Sequence, residues 1–390
     1  MSGLAGRAQC LPLLALLVLL GLVSGCGGAV RTQHAGVGGT AGVPGALPAS
    51  FPFTYRDSYR GWPLWPLHRQ HPIRSSFLDP RASSDLVGGG YHFGIDISVD
   101  DAHPEPWAPR GFSHEVYAVE SGEASDVLGT PRHHSCGSRR VSIGHFDYWH
   151  VSPIVTPGQH VEAGEVIGWS CLGEWHVHLA EWTRVEGVRI WVNPLHPGGK
   201  IAPYTDTAAP IVRTLRFFGT PAPTKQVVSQ RRTLGPEPRL SPTRLHGRVE
   251  LRAEIGDPQS YWGFVAQHSR WETLFHPYRV AVSIRLQATD RVVLRRVAFT
   301  SDQLPGTPFS VHYAPGTAGN RTIPQCRAAP ASGVCAGTYW FRPFSRFHRE
   351  FWDTERVPDG AYDVIVRAWD VQSNEGSRTS RVVVANETLG

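Results

Sequence analysis

Two short stretches of this chain place imidazoles and a carboxylate at spacings that suit a metal ion. The first runs Tyr91-His92-Phe93-Gly94-Ile95-Asp96-Ile97-Ser98-Val99-Asp100. Read at period two, Phe93, Ile95, Ile97 and Val99 share one face, and His92, Gly94, Asp96 and Ser98 share the other. The β-branched and aromatic first face predicts a strand with a core side and a chemical side. His92 and Asp96 stand roughly 13 Å apart along a straight strand. One ion can hold both only where the strand bends, and Gly94 between them permits a bend or a close approach. A catalytic zinc takes three protein ligands and leaves a position for water, so a third ligand must come from elsewhere. The second stretch, Glu174-Trp175-His176-Val177-His178-Leu179, carries histidines at i and i+2, which share a strand face. Between the two, Tyr148 and His150 of Tyr148-Trp149-His150 share a face if that segment is extended.

The elements that must position these residues read as strands. Glu115–Gly122, Val141–His150 and Glu165–Trp169 are expected strands separated by Gly/Pro turns, with no amphipathic helical period between them. The expected architecture over 51–200 is therefore a mainly antiparallel β-sheet domain. Residues 51–70 are rich in aromatics and Pro (Tyr55, Tyr59, Trp62, Trp65) and are expected to pack on it. Composition changes beyond Pro197. Asp206–Phe218 reads as a leading strand, 219–243 as a Pro/Arg-rich connector, and Arg248–Ile255, Arg279–Leu286, Tyr362–Asp370 and Arg378–Asn386 as strands. Residues 206–390 are thus expected to form a β-sandwich similar to immunoglobulin or fibronectin type III modules.

Length and composition bound the class. At 390 residues the chain has room for two or three domains. With 18 % charged and 41 % hydrophobic residues it is neither disordered nor a membrane bundle. The 41 Gly and 32 Pro favour turn-rich β architecture and linkers. A net charge of +5 suits work against an anionic polymer, and on charge alone nucleic acid would serve as well.

Residues 1–25 read as a targeting segment. Arg7 precedes Leu11–Leu22, which is too brief to span a bilayer. Leu22-Val23-Ser24-Gly25-Cys26 then resembles a bacterial lipoprotein cleavage box, with the cut before Cys26 and diacylglycerol on its thiol. The alternative is an ordinary secretory signal cut near Ser24–Gly27. Residues 26–50 are Gly/Ala/Pro-rich and read as a tether. The expected location is the bacterial cell envelope, lipid-anchored and facing the periplasm or wall. Beyond Cys10 and Cys26, Cys136, Cys171, Cys326 and Cys335 permit three pairings. Cys136–Cys171 with Cys326–Cys335 is the expected pairing, because each bridge then stays within one domain. No C-x-x-C spacing points to a cysteine metal site.

The ordered set H-x-G-x-D, Y-x-H and H-x-H resembles the lysostaphin-type (LytM-like) zinc endopeptidases, which cut peptide bonds in bacterial peptidoglycan. Agreement extends to His71–Phe77, Pro157–Val161, Gly164–Gly168 and Val192–Leu195, roughly residues 70–197 in all. The resemblance implies one zinc ion per chain, held by His92, Asp96 and His178. It makes His150 and His176 catalytic histidines that are not ligands, with Tyr148 a further candidate donor to an oxyanion. Peptidoglycan and, through the lipid anchor, the membrane become the expected partners, with no role for nucleic acid. Two neutral imidazoles and one carboxylate leave a zinc site at net +1, positive enough to acidify a water molecule. The sequence departs from the family at Leu179-Ala180-Glu181, where the acid comes one place late, and at Trp175, which stands where small residues are usual and is expected to narrow the cleft. The competing expectation is a non-catalytic zinc-binding envelope lipoprotein that regulates cell-wall hydrolases or acts as a wall-binding scaffold.

Overall fold

Alternating apolar residues set the strands, and in the computed structural model they do so nearly everywhere. It describes residues 54–81, 90–101, 103–128, 138–220, 223–228, 231–234, 237–261, 274–317 and 338–386. The signal and Cys26, the tether 26–50, Cys136, Cys326 and Cys335 lie outside these residues. The first strands are β1 (Ile73–Ser75), β2 (Ile95–Ser98), β3 (Phe112–Tyr117), β4 (Gly122–Leu128), β5 (Arg140–Ile143) and β6 (Phe146–Trp149). They continue with β7 (Val151–Pro153), β8 (His160–Val161), β9 (Val166–Cys171), β10 (His176–Val185) and β11 (Val188–Val192). One antiparallel sheet runs β1-β2-β10-β6-β5-β4-β8, with β11 paired to β10, and β3-β9-β7 form a second. Ile95, Ile97, Val141, Ile143, Phe146, Val177 and Leu179 have no exposed surface and form the core on one face of the larger sheet. Trp62 and Leu64 are buried too, and the Trp62 indole donates to Pro203 O at 2.8 Å, so this part of the aromatic segment packs on the domain as expected, whereas Trp65 is 62 % exposed.

The later strands are β12 (Ile211–Gly219), β13 (Pro223–Val228), β14 (Arg231–Leu234), β15 (Arg239–Leu240), β16 (Arg248–Pro258) and β17 (Leu274–Phe275). After these come β18 (Arg279–Leu286), β19 (Arg291–Thr300), β20 (Trp340–Phe341), β21 (Trp352–Asp353), β22 (Gly360–Trp369) and β23 (Glu375–Val384). One sheet has the order β15-β12-β16-β17 with β20 and β21 on β16, and the other β19-β18-β22-β23. Their rings meet between the layers, Phe299 with Phe341 at 5.5 Å and Trp352 with Tyr362 at 5.4 Å. The described residues are mainly β, as the sequence predicts. Three details differ. The stretch 219–243 is more than a connector, since it holds the β13–β14 hairpin and β15. The leading strand starts at Ile211, because 201–210 is given over to a crossover with Pro203 and Pro210. The alternation of Arg248–Ile255 sets Arg248, Glu250, Arg252 and Glu254 against Val249, Leu251, Ala253 and Ile255 as a polar face, yet Glu250 and Arg252 are buried, with Arg342 and Arg349 on Glu250 and Glu237 on Arg252.

The two strand systems belong to one compact unit and are bonded to each other. Asn193 N donates to Asp302 O and Leu304 N to Trp191 O, both at 2.9 Å. Tyr313 Oη donates to Leu78 O at 3.1 Å, and His276 Nε2 to Phe77 O. These last contacts fall on the turn after β1, beside the residues that support the candidate site.

Candidate metal centre

Strand pairing assembles the site. β10 lies between β2 and β6, and its register sets His178 opposite Asp96 and Val177 opposite Ile97. Directly opposed residues of an antiparallel pair share a face with their Cβ atoms about 5 Å apart, so Asp96 and His178 converge although 82 positions separate them. His92 arrives through a bend at Gly94, before β2 begins. The result is a tight triangle: His92 Nε2 to His178 Nδ1 2.8 Å, His178 Nδ1 to Asp96 Oδ1 3.0 Å, and His92 Nε2 to Asp96 Oδ1 3.1 Å. All three residues are buried. Among the described residues this trio is one of two groups whose atoms can hold an ion.

The protonation states suit ligands. His92 Nδ1 donates to the carbonyl of Ser76 at 2.8 Å, which fixes its tautomer and turns the Nε2 lone pair into the triangle. Burial, reinforced by the Arg81 guanidinium, pushes the His92 imidazole down to about 3, so it is neutral at pH 7. Burial works against the Asp96 carboxylate, but the His92 and His176 imidazoles and the hydrogen bond from His178 outweigh it and hold it well below the usual range. A neutral imidazole and an ionised carboxylate are the forms that bind metal. Two imidazole nitrogens 2.8 Å apart can share one proton, whereas a single cation satisfies all three atoms of the triangle.

Gly94 makes the approach possible. A Cβ there would stand 2.5 Å from Leu179 O and 2.8 Å from His178 Nε2. Gly94→Ala is therefore expected to cost about 1–3 kcal/mol and to push His178 away from its partners. Thermal unfolding together with metal content checks this; normal metal loading would show that the bend is dispensable.

His176 and His150 stand beside the triangle. His176 is one i+2 step from His178 on the same face, and its Nε2 lies 3.4 Å from Asp96 Oδ1. Its Nδ1 donates to Glu174 O at 2.5 Å, which leaves Nε2 to face the centre. That carbonyl is aimed by Trp175, whose φ of +60° turns the chain just before β10. Arg74 also donates to Glu174 O, at 2.8 Å, and lies 3.1 Å from His176 Nδ1. The His150 ring packs against His176 with centroids 4.6 Å apart, and its Nδ1 lies 3.9 Å from Glu174 Oε2.

Two expectations are corrected. Tyr148 does not reach the site: it is fully buried on the core face, opposite Leu179, and its hydroxyl accepts the N–H of Val119 at 2.8 Å. The strand ends at Trp149, and His150, with φ +64°, swings off the face that Tyr148 keeps. Phe93 is not core either. The strand begins only at Ile95, so Phe93 turns to the chemical side, where its ring meets His178 and Trp191 at 4.7 and 4.8 Å. With Trp149, 5.9 Å from Phe93, these rings make an aromatic wall. Trp175 is half exposed at the rim.

Sequence reasoning missed the support behind Asp96. Arg81 donates to Asp96 Oδ2 and Asp79 Oδ2, each at 3.2 Å, and to Ser75 Oγ at 2.9 Å. Asp79 is fully buried and accepts from Ser75 Oγ at 2.9 Å and from Tyr339 Oη, across the junction with the second strand system, at 2.8 Å. Burial pushes the Asp79 carboxyl up, against the pull of Arg81. No spacing in the sequence signals this chain, because its members come from three separate segments. Asp79→Asn is expected to weaken metal affinity by about 10–100-fold, and Tyr339→Phe in the same direction by less. Competition with a chromophoric chelator measures both, and unchanged affinity would confine these residues to folding.

Cys171, at the end of β9 and five residues before His176, is disulfide-bonded, its partner lying outside the described residues. Comparison with known proteins adds no relative: no family model matches the chain, nor does any curated protein or solved structure.

Proposed function

We propose that the chain is a zinc-dependent endopeptidase acting on peptide bonds of bacterial peptidoglycan, at the envelope to which the lipoprotein reading of residues 1–26 assigns it. The observation that carries the reading is the 2.8–3.1 Å triangle of His92, Asp96 and His178 with two further histidines alongside it. The donor set suits a transition-metal-type ion, since imidazole excludes calcium and magnesium in ordinary sites, and the LytM-like motif order selects zinc among these. Ligands on a tetrahedral zinc at about 2.0–2.1 Å lie about 3.3–3.4 Å apart, so the triangle needs to open by only a few tenths of an ångström. The LytM-like motif order supports the substrate class, as do the aromatic wall and the net positive charge.

An ion held at this centre supplies Lewis acidity, acidifying water and polarising a carbonyl. The chain's own residues do the rest. His176, with Nδ1–H committed to Glu174 O, keeps Nε2 for accepting and returning a proton at the centre. His150, packed on His176, offers an N–H to the oxyanion that develops as the peptide carbonyl becomes tetrahedral. Phe93, Trp149 and Trp191 exclude water from one side and give the peptide a surface to lie on. The test is to assay the purified chain for metal and incubate it with sacculi, identifying released fragments by mass. Zinc-loaded protein that releases no peptide fragment would sink the hydrolase reading and leave the non-catalytic regulator or scaffold.

A further inference from the structure

A second group of ligand-type side chains sits at the crossover between the two strand systems. Asp206 lies in the crossover before β12, Asp257 near the end of β16, and Asp370 immediately after β22. One carboxylate oxygen from each falls within 4.8 Å of the other two, and the residues are 6 %, 6 % and 2 % exposed. Part of this cluster is satisfied by the chain. Asp206 Oδ1 accepts from Ala208 N at 3.0 Å and Ser260 N at 2.9 Å; Asp370 Oδ1 accepts from Asn374 N at 2.8 Å and its Oδ2 from Asn374 Nδ2 at 2.6 Å. Asp206 Oδ2 and Asp257 Oδ1 are buried without a hydrogen-bond partner among the described residues. Nor does any Arg, Lys or His among those residues form an ion pair with the three.

Buried carboxylates that repel each other and keep two orphan oxygens are unfavourable as they stand. We propose that Asp206, Asp257 and Asp370 bind a divalent cation of the calcium type. The donors are all oxygen, with no imidazole or thiolate, which selects a hard cation. Ligands on opposite sides of a calcium at about 2.3–2.6 Å lie about 4.6–5.2 Å apart, so a set confined to 4.8 Å can close round one such ion. Each aspartate supplies one ligand oxygen, and Asp206 and Asp257 each keep an oxygen that the described residues leave uncommitted.

The consequence is mechanical. Asn374, which holds Asp370, also donates Nδ2 to Asp206 O at 2.8 Å, and Gln372 Nε2 donates to Tyr204 O at 3.1 Å. A cation here pins the crossover 201–210 to the ends of β16 and β22 and so fixes the junction between the strand systems. The site stands whether or not the chain is a peptidase. Its rival is a shared proton: burial and the neighbouring Asp370 and Asp206 push the Asp257 carboxyl well above its usual range.

The purified full chain, stripped with chelator and dialysed at pH 7 against calcium chloride, provides the test. One equivalent should bind, saturating at roughly millimolar calcium or below, and the melting temperature should rise with it. Asp257→Asn and Asp370→Asn should each lose this equivalent while keeping the metal content of the His92–Asp96–His178 centre; Asp96→Asn should keep the calcium. Folded wild-type chain that binds no calcium, or variants that bind it undiminished, would overturn the proposal. A metal-free Asp257→Asn more stable than wild type, without calcium binding in either, would assign the cluster to a shared proton instead. Should Asp257→Asn fail to fold, the wild-type dialysis and Asp370→Asn still decide.

Discussion

Asp96→Asn is expected, on the proposed function, to strip the centre of its ion and abolish hydrolysis while the chain stays folded. Asp96 is the one anionic corner of the triangle and touches both imidazoles, at 3.0 and 3.1 Å. The amide is nearly isosteric, so the core side of β2, with Ile95 and Ile97 fully buried, is undisturbed. The loss is of charge. A site of two imidazoles and an amide binds a divalent cation far more weakly, and Arg81 Nη2, 3.2 Å from Asp96 Oδ2, then faces a neutral group. Metal content should fall from about one zinc per chain to a small fraction of that, and release of fragments from sacculi should fall with it. Chelation of the wild type should give the same loss, reversible on adding zinc. Full metal loading in the variant would show that the ion is held elsewhere.

Replacing His176 should separate chemistry from metal binding. His176 packs beside the triangle and is not one of its corners, so His176→Ala is expected to keep its zinc and lose about 10²–10⁴-fold in turnover, the usual worth of a positioned acid–base group. His150 calls for a different substitution. Its φ of +64° is costly for Ala but tolerated by Asn, so His150→Asn tests the ring without straining the turn. It should lower turnover with zinc unchanged. If either variant loses zinc in proportion to activity, that histidine is a structural support rather than a catalytic group. Retention of full turnover in both would remove the proposed mechanism while leaving the metal site intact.

Much of the fold is legible in the chain. Tyr362, Val364, Val366 and Ala368 of β22 alternate and are all fully buried, as Val280, Val282 and Ile284 of β18 are nearly so. The reading failed where alternation was extended past a break. Tyr148 and His150 would share a face only in a continuous strand, and the positive φ at His150 ends that continuity. Phe93 was placed with Ile95 and Ile97 by parity, but parity holds only inside the strand, which starts two residues later. Glu250 and Arg252 look like a solvent face until Arg342, Arg349 and Glu237 close over them. Arg81, Asp79 and Tyr339 carried no signal at all, because what makes them a network is their reach to Asp96 and across to Tyr339, which are distant in sequence.

Period-two patterning is a local property, fixed by how successive side chains leave the backbone. It was therefore the sequence that determined which residues of β2 and β10 turn inward, and that Asp96, His176 and His178 stand on the opposite side. Which strand lies beside which, and in what register, is settled by packing of the whole sheet, since slipping by one residue would bury the polar face. Only that register put Asp96 opposite His178, and only the close approach at Gly94 brought His92 to them. The three buried aspartates are the extreme case: Asp206, Asp257 and Asp370 share no motif and become neighbours solely because a crossover and two strand ends meet.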